Sequence, residues 1–137
     1  MIKSIVLFIG ILFSSNVMSY DEAEFYSIDN FEDYVLKVGG LKLNNFTLSE
    51  SKAFLARGMT NIEVSFSVRN KSESSKHFNV MMIGIDAKNN LLWAIDASPM
   101  MSTSSAGKSE LVKGSSYVSP GTLESTTEIW MRITGDM

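Results

Sequence analysis

Residues 97–110, "ASPMMSTSSAGKSE", hold the residue types in this chain closest to known catalytic chemistry. Gly107-Lys108-Ser109 has the ending of a phosphate loop. That motif needs an earlier Gly five residues before the second one, so that backbone amides cradle the phosphates. The required position is Ser102, and the following "ELVKG" lacks a convincing helical pattern. Nucleotide binding is therefore not expected. Ser105 and Lys108 form a Ser-x-x-Lys pair, as do Ser49 and Lys52. In Ser-Lys hydrolases the lysine lies one helical turn from the serine and acts as its base. Here the first pair sits in a Gly-containing loop, and no Ser-Asp-Asn or Lys-Thr-Gly element accompanies either.

His77 is the only histidine and stands at a polar turn beside Ser75 and Lys76. A triad assembled across the fold would have to use it, but a solvated turn residue is the stronger expectation. Asp86 and Asp96 fall near the ends of neighbouring predicted strands, where Asp86 suits turn capping better than acid catalysis. With no cysteine and one histidine, thiolate and His-rich zinc sites are excluded. Nine methionines include the doublets Met81-Met82 and Met100-Met101, together with Met59 and Met131. Copper capture would need them clustered in a polar tract. They are scattered, and those in strands alternate with other apolar positions as core residues do. No cofactor is expected.

The chain that positions these residues has 137 residues, 45% of them hydrophobic, which suits one domain with a real core. Met1-Ile2-Lys3, then the uncharged run Ser4–Phe13, then small and polar residues give the layout of a secretory signal peptide over residues 1–19. Val17 at −3 and Ser19 at −1 would flank the cut. The apolar run is short of the roughly 20 residues that span a bilayer. The expected location is periplasmic or secreted. There the lack of cysteine leaves stability to the core alone.

Loss of Lys3 with the signal takes the net charge from −3 to −4 (11 basic against 15 acidic residues). That balance argues against a nucleic-acid partner. Asp21, Glu22, Glu24, Asp29, Glu32 and Asp33 crowd residues 20–33, interleaved with Tyr20, Phe25, Tyr26 and Phe31. Two readings of this stretch are open: an acidic aromatic arm that docks on a basic partner, or a partly frayed terminus with its aromatics packed on a domain over 34–137.

Beyond the arm the pattern is mostly β. "YVLKVGGLKL" reads as a strand bent at Gly39-Gly40. Thr47 and Glu50 have capping-box spacing ahead of Phe54, Leu55 and Gly58, which predicts a short helix near 48–57, with a strand from Lys52 as its rival. In "NIEVSFSVRN", Ile62, Val64, Phe66 and Val68 alternate with polar residues. "HFNVMMIGID", "LLWAIDA", "SELVKGSSYVS" and "TTEIWMRITG" continue as strands, separated by "AKNN" and by a Pro120-Gly121 turn of type II. The expected fold is an antiparallel immunoglobulin-like β-sandwich of six to seven strands.

Over about residues 60–135, "NIEVSFSVRNKS…FNVMMIGIDAKNN…SPG…TEIWMRITG" resembles small secreted bacterial immunoglobulin-like domains of the FxLYD kind. Asn70, Ser72, Asp86, Pro120 and Gly121 follow their outline. Gly84-Ile85 stands where that family prefers Leu-Tyr, and the 98–110 loop is longer. The resemblance implies a binding or adaptor module and brings no catalytic residues. Asn45-Phe-Thr47 and Asn70-Lys-Ser72 also have the form of glycosylation sequons.

The functional expectation is a non-enzymatic exported module that binds another protein, with Pro99, Met100, Met101, Ser105, Lys108, Asp21, Glu22 and Glu24 as contacts. Its sharpest form is an inhibitor or immunity protein plugging a basic cell-envelope toxin or enzyme. The alternatives are a structural or adhesive subunit, homo-oligomeric through strand edges, and a small hydrolase using His77.

Overall fold

The computed structural model describes residues 19–136; the signal-peptide reading falls almost wholly on residues outside that range. Among the described residues nine strands form two antiparallel sheets packed face to face. One sheet runs β1 (Ser19–Ser27), β9 (Glu128–Asp136), β5 (Lys76–Ile85), β6 (Leu91–Asp96), with the two-residue β7 (Thr103–Ser104) added to the start of β5. The other runs β2 (Leu36–Val38), β3 (Leu41–Lys52), β4 (Thr60–Asn70), β8 (Ser109–Val118). The sandwich is as expected. The two strands beyond the expected seven are short or acidic, and such strands carry little apolar alternation.

Period two dictates the core. Ile62, Val64, Phe66 and Val68 of β4 are buried, as are Phe78, Val80 and Met82 of β5 and Ile129, Met131 and Ile133 of β9. The β2–β3 turn places both Gly39 (φ 55°) and Gly40 (φ 81°) in left-handed backbone, as a two-residue type I′ hairpin requires. Gly121 (φ 86°) and the Thr122 N–H to Ser119 carbonyl bond of 3.2 Å fit the expected Pro-Gly turn.

The helix expected at 48–57 is not formed, because β3 runs through Lys52. A β-bulge between Asn44 and Thr47, with Asn45 at φ 55°, shifts the inward phase so that both Leu43 and Phe46 are buried. This break in alternation imitates a change of secondary structure. The capping residues act elsewhere. Thr47 bonds Ser65 across β4 at 2.5 Å. Glu50 accepts from the backbone N–H of Gly121 (3.1 Å) and Leu123 (3.2 Å), capping the one-turn helix α1 (Thr122–Ser125).

The acidic stretch is not a frayed arm. Ser19–Ser27 pair along their whole length with β9, and Ile28–Asp33 form a 3₁₀ turn whose Phe31 is buried against Phe46, ring centroids 5.3 Å apart. Its aromatics are divided: Tyr20, Tyr26 and Phe31 are buried, whereas Phe25 is 58% exposed on the outer face.

Candidate functional site: an acidic groove between two sheet edges

The sandwich is closed along one side and open along the other. On the closed side β8 meets β6 at Gly114, where a Cβ would sit 2.6 Å from the Ile95 Cγ2 methyl and 2.8 Å from the Asp96 carbonyl. Only glycine permits that approach. On the open side β1 is a sheet edge facing the three-residue β2, and a groove of about 430 Å³ separates them. Met131, Ile133, Leu36 and Val38 supply its apolar lining.

Register fixes which acids enter this groove. Along β1, Tyr20 and Tyr26 are buried, so the residues in step with them, Glu22 and Glu24, stand on the inward side. Glu22 lies opposite Ile133 and Glu24 opposite Met131. Asp21 lies a step out of phase and points to the outer face. There Arg132 grips it with two charge-assisted bonds, Nε to Oδ1 at 2.8 Å and NH2 to Oδ2 at 2.6 Å. The Arg132 bonds hold the Asp21 carboxyl below its ordinary range, against an opposing desolvation. Among the described residues neither Glu22 nor Glu24 has an ion-pair partner; the two pairs formed are Arg132–Asp21 and Lys113–Glu63. Lys37, on the β2 side, is the cation that borders the groove.

The groove acids also act on the flanking phenols. Burial, then Asp136 and Glu22, pushes the Tyr20 hydroxyl up to about 12. Burial, then Glu24, does the same to Tyr26, whose hydroxyl donates to Glu24 Oε2 at 3.5 Å.

The expected contact residues therefore do not form one surface. Glu22 and Glu24 share the groove; Asp21 borders it along the β1 edge, but its carboxylate is turned to the outer face and already paired with Arg132. The loop lies at one end of the sandwich and is tied down. Pro99 is buried and its carbonyl accepts from the Ser102 N–H at 2.9 Å. Ser102 Oγ reaches Asn79 at 2.6 Å. Ser105 and Lys108 are joined by a turn, Lys108 N–H to Ser105 carbonyl at 3.2 Å, with Gly107 at φ 67°. The Gly-Lys-Ser triplet is thus the turn that enters β8. Met100 opens the short 3₁₀ segment Met100–Ser102, and Met101 (φ 56°) stands 87% exposed at its apex.

The clamp behind this loop is Asn70, which is fully buried. Its Nδ2 donates to the carbonyls of Ser74 (2.9 Å) and Ser104 (3.0 Å), and its Oδ1 accepts from Ser72 N–H (2.9 Å) and Ser72 Oγ (2.6 Å). All capacity of the amide is used inside the fold, so the Asn-Lys-Ser sequence serves as a turn clamp. Asp86 has the expected turn role, with Oδ1 accepting from the N–H groups of Lys88 and Asn90 at 2.9 Å each.

His77 is exposed, its Nδ1 3.1 Å from the Thr103 hydroxyl. That hydroxyl also lies 2.9 Å from the Met101 carbonyl, to which it donates, so the contact ties the start of β5 to the loop. The methionines divide by face. Met82 and Met131 are paired neighbours in the core, while Met81 is on the outer face and Met59 is in the loop after β3.

The groove floor was not foreseeable from chemistry-bearing residues, since Leu36, Val38, Met131 and Ile133 read as core. The signal that was present is "YDEAEFY": two acids at period two between two tyrosines place carboxylates on the buried phase of a strand. No protein-family model matches the chain, and no curated protein shows significant similarity to it.

Proposed function

We propose that this is a non-enzymatic, exported binding module that holds a basic segment of another protein in the groove between β1 and β2. The observation that carries the proposal is the pair Glu22 and Glu24, unpaired among the described residues and set on the inward phase of an edge strand above an apolar floor. A partner's Lys or Arg would lay its aliphatic stem on Met131, Ile133 and Val38 and its cation on the carboxylates. Acidic surface on an acidic protein also speeds encounter with basic partners. The sharpest form is an inhibitor or immunity protein for a basic toxin of the cell envelope. The export part of the proposal rests on the residue pattern of 1–19.

The test is co-purification from an envelope extract with the wild-type protein and with Glu22→Lys/Glu24→Lys as baits. The proposal expects one stoichiometric basic partner, lost from the variant and released by salt. Retention by the charge-reversed variant, or no partner and large self-assemblies on sizing, would overturn it.

A further inference from the structure

We infer that the partner binds by strand addition: an extended segment pairs with the free edge of β1 and extends the β1-β9-β5-β6 sheet. This deepens the reading of the groove given above and rests on it. β1 offers nine consecutive residues of strand, with β9 on one side and, among the described residues, no strand on the other. Such an edge presents unpaired backbone donors and acceptors. Its side chains specify what may pair with it. On the inward phase an incoming strand sets its residues beside Glu22 and Glu24, where cross-strand contact favours Lys or Arg and penalises acids. On the outward phase it lies beside Ala23 and Phe25. Phe25 begins an apolar row that runs in register across the sheet through Trp130, Ile83 and Ala94. The fitting segment therefore alternates basic and apolar residues.

The same acids oppose a second copy of this chain as the occupant. Antiparallel pairing of two β1 strands about Ala23 sets Glu22 opposite Glu24 twice, and pairing about Glu22 sets that residue opposite itself. Like charges facing each other across strands are destabilising, so the edge is guarded against self-assembly while it remains open to a basic strand.

The probe is a peptide of about eight residues alternating Lys and Val, titrated into the purified protein with amide hydrogen exchange as a second readout. Two further versions carry backbone N-methyl groups on the Lys residues or on the Val residues, which blocks one edge of the peptide or the other at unchanged charge. Strand addition predicts that the parent peptide binds and slows exchange of the β1 amides, and that one methylated version loses at least about tenfold in affinity while the other does not. Equal binding of all three versions, with β1 exchange unchanged, overturns strand addition but leaves the acidic groove standing. No binding of the parent peptide, when Glu22→Lys/Glu24→Lys still abolishes capture of the protein partner, also overturns strand addition alone. No binding together with unaltered capture by that variant overturns both.

Discussion

Trp93 lies flat on Gly84, its register partner across β5 and β6, and from there its indole Nε1–H reaches the Thr126 hydroxyl at 3.0 Å. A side chain at position 84 would occupy the space of the indole ring. The buried ring, a satisfied N–H and a glycine make one unit that locks β6 to the segment before β9.

Gly84→Ala should therefore destabilise the fold by about 1–3 kcal/mol, the usual cost of overpacking a close-packed core. A urea midpoint equal to that of the wild type would contradict the packing described for Trp93.

Asn70→Ala should cost about 2–3 kcal/mol, because it strands the Ser72 N–H and two carbonyls in a buried clamp. Native-state hydrogen exchange should rise first at residues 71–75 and 103–108, which the amide ties together. Protection unchanged in both segments would remove the clamp from the account.

Tyr20 and Tyr26 make stability fall in alkali. Both phenols are raised from 10.0 to about 12 in the fold, so the folded state holds its protons more tightly than the unfolded chain. Their contribution is complete below pH 10 and is lost as pH rises towards 12. Tyr26→Phe should flatten the decline of the urea midpoint over that window. Tyr20→Phe should do so as well, and at neutral pH it should leave stability unchanged or raise it by up to about 1 kcal/mol. The Tyr20 hydroxyl is buried with no hydrogen-bond partner among the described residues, so its removal forfeits no bond. A large loss in Tyr20→Phe at pH 7 would contradict this.

Phe54 and Leu55 stand 102% and 92% exposed in the loop joining β3 to β4. Phe54→Ser/Leu55→Ser should leave stability within about 0.5 kcal/mol of the wild type by thermal or urea unfolding. A loss of several kcal/mol would mean that these side chains pack, as the helix reading required.

The strands with unbroken alternation, β4, β5 and β9, could be read directly from the sequence, because a sheet with one face on the core writes period two into its residues. The outer face of β5 is partly covered as well: Ile83 and Ile85 are half-buried, whereas Met81 is exposed. The helix error has a local cause, since the bulge at Asn45 breaks the period just where Thr47 and Glu50 imitate a capping box. Glu50 does cap a helix, but α1 lies some seventy residues on, and no local rule links them. Composition marked the acids of β1 as interesting. Which of them share a groove followed only from the pairing of β1 with β9, a contact between the two ends of the described chain.

The most direct test of the central claim is the affinity of the protein for its captured basic partner, measured for the wild type, Asp21→Asn and Glu22→Gln/Glu24→Gln. Asp21 carries the same charge and borders the groove, but its carboxylate is turned to the outer face and held by Arg132. The groove account predicts that the double variant loses at least about tenfold in affinity and much of the salt dependence, while Asp21→Asn binds as the wild type does. Equal losses in both variants would mean that bulk negative charge, and not the groove between β1 and β2, holds the partner.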